Sequence, residues 1–254
     1  RPTVCWRLPP TKWPKSPMAD PAGAGRPRRA GASKSKAALA GTVPDPPAVL
    51  HITTATWKAG VALHRIHLDV YAAEAFNPGV KGNARFSPVV NAAGKPIPTL
   101  YGGTSFNCAA METVFHDVAF APGLKTFAKH KLEGQLHSVL AATAALTLAD
   151  LRNVPLRKLG VERKQLVDTE KDTYGQTRKW AAAIHAQHAH IQGLCWTSRQ
   201  DDSAMAVMLF GDRIGAGLLT RRDASRALLD DGPAYMDLLT LADMIGVRVV
   251  AGRA

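Results

Sequence analysis

The chain has 254 residues, 46% apolar and 20% charged, with three cysteines and a formal charge of +12. This is enough apolar material for one large domain or two small ones. Cys5, Cys108 and Cys195 are too few and too scattered to form a disulfide scaffold. The longest apolar-plus-small run, Val139 to Ala149, falls well short of the roughly 18 residues of a membrane span.

Residues 1–50 are rich in Pro, Ala, Gly and Ser and show no apolar periodicity. They hold nine Lys/Arg against Asp20 and Asp45, a balance of +7 that leaves only +5 for the remaining residues. Pro9, Pro10, Pro14, Pro17, Pro21 and Pro27 prevent any helix longer than a turn, and too little apolar surface is present to offset ordering of the chain. A disordered basic tail is the expectation. A transit peptide suits the composition, but the prolines spoil an amphipathic helix, and Met18 offers an alternative start. No secretory leader is visible, so a reduced, cytoplasmic setting without a membrane partner is expected. Direct nucleic-acid binding is not expected beyond what the tail offers.

From His51 onward the sequence reads as one globular unit, residues 51–254. Leu63–Leu68 alternates and predicts a strand, and the Gly- and Pro-rich stretch Asn77–Pro98 predicts a long loop or ribbon. Thr104 or Ser105 caps a predicted helix running to about Val118, with Phe106, Ala110, Val114 and Val118 on one face and Glu112 nearly opposite. Leu146, Leu148 and Leu151 suit a short strand. A helix over Thr177–Ile191, ended by Gly193, precedes a hairpin of Leu194–Ser198 and Ala204–Phe210. A helix at Pro233–Ile245 and a strand at Val247–Ala251 close the chain. Short strands mixed with helices, without regular βαβ units, predict an α+β fold.

Common motifs are missing. No Gly-rich phosphate loop occurs, and the cysteines lack zinc spacing. His185, His188 and His190 share neighbouring helix turns without a carboxylate or cysteine to complete a metal site, so no metal is expected. His64 and His67 flank Arg65 on the predicted strand, and Ser198 lacks a nucleophile-elbow context.

Three ordered segments resemble the RES-domain family. They are Leu63-His64-Arg65-Ile66-His67, then Gly82–Pro88 with Pro98–Gly103 and Ala110–Asp117, then Gly193–Arg199 closed by Leu209–Arg213. The resemblance covers residues 63–213 and implies a single RES domain similar to the ADP-ribosyltransferase fold. It further implies an NAD+-degrading enzyme, a phosphorylase or glycohydrolase, and the toxin of a toxin–antitoxin pair whose partner is an Xre-type helix-turn-helix protein. NAD+ is then the substrate, with inorganic phosphate as a possible co-substrate and no cofactor. Mono-ADP-ribosylation of a protein is an alternative. A non-enzymatic protein binding nucleic acid through the tail is another.

Carried over by motif, Arg65, Arg85, Tyr101, Glu112 and Ser198 fall on the family's functional positions. Arg65 and Arg85 are expected to anchor diphosphate and ribose through the planar guanidinium fork. Glu112 is expected beneath the ribose, where a carboxylate accepts hydrogen bonds from hydroxyls and stabilises the positive charge that builds as nicotinamide leaves, with general base for the incoming nucleophile as an alternative role. Tyr101 offers a flat face to the nicotinamide or the ribose edge, and Ser198 a hydroxyl to the ribose or the carboxamide. His116 is a lesser candidate for the site, with a structural role expected first. Ile66 and Trp196 depart from tyrosines common in the family, which bears on how the nicotinamide ring is stacked.

Overall fold

The computed structural model describes residues 42–79 and 81–252. Strands β1 (Thr54–Trp57) and β2 (Ala62–Leu68) are followed by the short pair β3 (Val89–Val90) and β4 (Pro96–Ile97). Next come β5 (Thr99–Gly103), helix α1 (Phe106–Thr113), β6 (Lys125–Ala128), β7 (Gln135–Ala142) and β8 (Leu146–Asp150). Helices α2 (Asn153–Leu159), α3 (Arg163–Leu166) and α4 (Tyr174–Gln187) lead to β9 (Gly193–Thr197) and β10 (Met205–Phe210). The chain ends in β11 (Leu219–Arg221), β12 (Arg226–Ala227), α5 (Gly232–Met244) and β13 (Val247–Val250).

Nine strands form one sheet in the order β1-β8-β9-β10-β5-β2-β7-β11, with β12 also on β7. Its pairs are antiparallel except β8 with β9. The architecture is α+β, as the mixture of short strands and helices predicts.

Side chains alternate across each strand, so the sheet has two distinct faces. One buries Trp57, Leu63, Leu100, Leu140, Leu148 and Val207. The other carries two separate clusters. Phe86, Trp196 and Met208 pack with Trp180 and Ile184 of α4, while Ile66, Ala110 and Phe115 pack with Leu238 and Leu241 of α5. The seam between these two clusters holds the candidate site.

Three boundaries differ from expectation. Residues 1–41 of the expected tail lie outside the described residues, but 42–50 are built into the fold. Val43 and Leu50 are buried, the Trp180 indole donates to the Pro44 carbonyl at 2.7 Å, and the Leu50 N–H donates to Gln187 Oε1 at 2.8 Å. The two apolar residues flank a proline-rich stretch that lies extended against α4. Helix α1 starts on the predicted Ser105 cap, whose hydroxyl accepts the Cys108 N–H at 3.0 Å. It stops at Thr113 rather than Val118, because the Phe115 N–H returns to the Ala110 carbonyl and the chain turns away. Helix α4 begins at Tyr174 and ends at Gln187, and Gly193 opens β9 instead of terminating the helix.

Candidate active site

A cavity of about 290 Å³ opens in the seam. Its floor is Ile66 of β2, Ala109 of α1 and Ala206 of β10, with Tyr101 and Trp196 as aromatic walls. The polar lining includes Arg85, Glu112, His116, Asp117, Lys171 and Tyr174.

Glu112 is half-buried on the last turn of α1. Its carboxylate Oε1 accepts the Ser198 hydroxyl at 2.6 Å. Ser198, fully buried, sits at the turn after β9, and its oxygen also accepts the N–H groups of Gln200 and Asp201, each at 3.0 Å. Thus the β9–β10 turn, read from sequence as a polar connector, fixes the orientation of a carboxylate on another element.

Arg85 is only 5% exposed. Its Nη1 donates to Thr169 twice, to the carbonyl at 3.0 Å and the hydroxyl at 2.7 Å, and its guanidinium lies 5.0 Å from the centre of the Tyr174 ring. Its own carbonyl accepts the Thr177 hydroxyl. Burial lowers its pKa, with Tyr174 and Glu112 acting in the opposite sense, and a guanidinium remains charged in any such setting. Clamping one edge of the fork preorganises the other for an anion.

Tyr101 is positioned by β5, and its phenol oxygen accepts the Phe86 N–H at 3.1 Å. Burial pushes its pKa up to about 12, so it stays a neutral donor. Trp196 meets Tyr101 edge to face at 6.3 Å and Phe86 at 5.0 Å. Its buried indole N–H has no hydrogen-bond partner among the described residues.

Arg65 is not brought to this cavity. It precedes Ile66 on β2, and alternation sends the two side chains to opposite faces. Ile66 lines the cavity, while Arg65, 9% exposed, donates its Nη1 to the carbonyls of Ala73 and Ala75, the latter at 2.7 Å. Burial lowers its pKa to about 10. Its observed place is therefore that of an anchor for the turn after β2, not a diphosphate contact.

The segment before α4 also contributes to the site. Thr169 binds Arg85 and also accepts Arg199 Nη1 at 2.8 Å through its carbonyl. Glu170 pairs with Arg199, and Lys171 reaches Asp117 at 2.6 Å. Asp117 in turn accepts His116 Nδ1 at 2.8 Å. No motif marks these residues. The sign that was available is charge alone: Glu170 and Lys171 before the helix predicted over Thr177–Ile191, Asp117 near the end of the helix predicted to Val118, and Arg199 in the predicted hairpin turn.

Elsewhere, His185 pairs with Asp212 at 2.9 Å and His188 with the Leu50 carbonyl at 3.2 Å. Among the described residues, no group of three or more His, Cys, Asp or Glu is placed to hold a metal ion. Among them too, no helix is long and apolar enough to cross a membrane.

A carboxylate, a preorganised guanidinium and aromatic walls meeting on one sheet face define an enzyme-like small-molecule site on an α+β fold. Residues 62–230 match the family model of the RES domain, and the chain belongs to that family. At the coarse level this is a toxin-like, NAD-related enzyme family. No curated protein matches the chain.

Proposed function

We propose that this cavity binds the nicotinamide-ribosyl half of NAD+ and cleaves the bond between them, passing the ADP-ribosyl group to water or inorganic phosphate. The observation that carries the reading is Glu112, held by Ser198 in the wall of a cavity that also presents a clamped arginine.

Breaking the glycosidic bond moves positive charge from the pyridinium ring onto the ribose. A fixed carboxylate beside the ribose is favoured more by that state than by the ground state, which is the condition for catalysis. The free edge of Arg85 suits a phosphate oxygen of the dinucleotide. Tyr101 and Trp196 supply flat walls for the nicotinamide. The cavity lies at the lower end of ligand-pocket volumes, about 300–1,000 Å³, so it encloses only part of a dinucleotide. A second hollow of about 360 Å³ shares His116, Asp117, Lys171 and Tyr174 with it and has room for the remainder.

The protein in this reading is a toxin restrained by an Xre-type antitoxin that denies NAD+ access to the cavity. Incubation of the pure protein with NAD+, with and without phosphate, tests the reaction by product mass. ADP-ribose 1″-phosphate marks a phosphorylase, and free ADP-ribose in both tubes marks a hydrolase. Unchanged NAD+ with folded protein, freed of any inhibitor, rejects both.

A further inference from the structure

We infer that His116 is the general base that activates an acceptor water, with Asp117 as its positioning partner. The inference rests on the NAD+ reading of the cavity and adds to it the identity of the acceptor and of the group that takes its proton.

His116 follows the end of α1, four residues after Glu112, and both line the same cavity. Its Nδ1 lies 2.8 Å from Asp117 Oδ1. A carboxylate accepts and cannot donate, so Nδ1 carries the proton and Nε2 of the neutral ring is left as the base. The Asp117 carboxyl is held below its usual range by hydrogen bonds from Lys171 first and His116 second. Nε2 meets the Tyr174 hydroxyl at 3.4 Å, long for a hydrogen bond. The His116 side chain is 24% exposed, so water reaches it.

The charged surroundings are accounted for on every side. Asp117 lies on the same turn and Glu112 on α1. Glu170 and Lys171 face it from the segment before α4 and Tyr174 from the first residue of α4, Arg85 from the ribbon after β2, and Arg199 from the turn after β9. From that last turn Gln200 donates to the His116 backbone carbonyl at 3.2 Å, a contact independent of the imidazole.

Glu112 is poorly suited to take the proton itself. Protonation would cancel the negative charge at the moment the ribose becomes positive, and one of its oxygens already holds the Ser198 hydrogen. His116 divides the labour. As the C1″–N bond breaks, its electron pair goes to the pyridinium ring and nicotinamide leaves neutral. The water oxygen bonds to C1″, and one water proton passes to Nε2. The resulting imidazolium is paired with Asp117 and later releases the proton to solvent. Water needs such a base. An anionic nucleophile does not.

The test measures products from NAD+ for the wild type, His116→Ala, His116→Gln and Asp117→Asn, in buffer alone and with sodium azide or phosphate. Loss of the base is expected to lower ADP-ribose formation by about 10²–10³-fold in both His116 variants. Azide restores turnover in His116→Ala as ADP-ribosyl azide, and phosphate restores it as the 1″-phosphate. Asp117→Asn falls by about 10–100-fold, the usual effect of losing an orienting partner. Hydrolysis by both His116 variants within about threefold of wild type overturns the inference, as does failure of azide to restore a variant whose melting temperature is unchanged. A wild type that yields only the 1″-phosphate overturns it while leaving the NAD+ reading intact. A folded wild type that releases no nicotinamide overturns both.

Discussion

Ser198 Oγ donates to Glu112 Oε1 at 2.6 Å while accepting the N–H groups of Gln200 and Asp201 at 3.0 Å each. A serine hydroxyl has one hydrogen and two lone pairs, so these three contacts fill its capacity. Ser198 therefore has nothing left for a ribose hydroxyl or a carboxamide, contrary to the role its sequence position suggests. It aims Glu112. Ser198→Ala is expected to lower kcat for nicotinamide release by about 10²-fold, the scale of a misplaced catalytic group, with KM nearly unchanged. Steady-state kinetics beside a melting curve check this. A rise in KM at constant kcat would restore the substrate-contact role.

Arg85 is expected to behave as a substrate clamp. Lysine cannot hold Thr169 and present a second donor edge in the same plane. Arg85→Lys should raise KM for NAD+ by roughly tenfold or more, the loss of about 1.4 kcal/mol or more of binding. Titration with ADP-ribose by calorimetry should show the same loss. Equal affinities in the two proteins would remove Arg85 from the binding surface.

Arg65 is expected to matter for folding. Replacing it by Met leaves the carbonyls of Ala73 and Ala75 without their donor inside the protein. The cost of such unsatisfied groups is about 1–3 kcal/mol each before any solvent rescue. Arg65→Met should melt at a distinctly lower temperature while the folded fraction keeps its KM for NAD+. A raised KM at an unchanged melting temperature would return Arg65 to the site.

These corrections show how far the residues could be read in order. Alternation along Leu63–Leu68 already separates Arg65 from Ile66, but a single strand does not reveal which face carries a cavity. The Ser105 cap and the β9–β10 hairpin are local devices and were legible. Strand β7 was not, because the run Val139–Ala149 is apolar without alternation and contains the end of β7, a turn and most of β8. Strands covered on both faces lose the period that identifies them. Thr169 was invisible for a different reason: its role depends on contacts with residues 30 and 84 positions away.

The sheet also holds a pH-sensitive pair away from the cavity. His64 Nδ1 and His137 Nε2 are 3.0 Å apart with nearly coplanar rings. Burial first, then His64 and Arg226, push the His137 pKa down to about 4, and burial and Arg222 lower that of His64. Between about pH 4 and the unfolded value near 6.5 the unfolded chain binds more protons than the folded one. Stability therefore falls as the pH drops through that window, by up to about 3 kcal/mol for His137 alone. Urea midpoints measured from pH 7.5 to 4.5 should decline, and His137→Phe should flatten the decline. An unchanged slope in the variant would assign the acid sensitivity to other groups.

In the proposed reaction Glu112 drives cleavage of the nicotinamide–ribose bond. The most direct measurement is nicotinamide release from NAD+ by wild type and by Glu112→Gln, an isosteric change that keeps an acceptor for the Ser198 hydroxyl. Release by the wild type is expected, with a fall of about 10²–10³-fold in kcat for the variant at an unchanged melting temperature, the scale seen when one electrostatic stabiliser is removed. Equal rates, or no release by folded wild-type protein, would contradict that role.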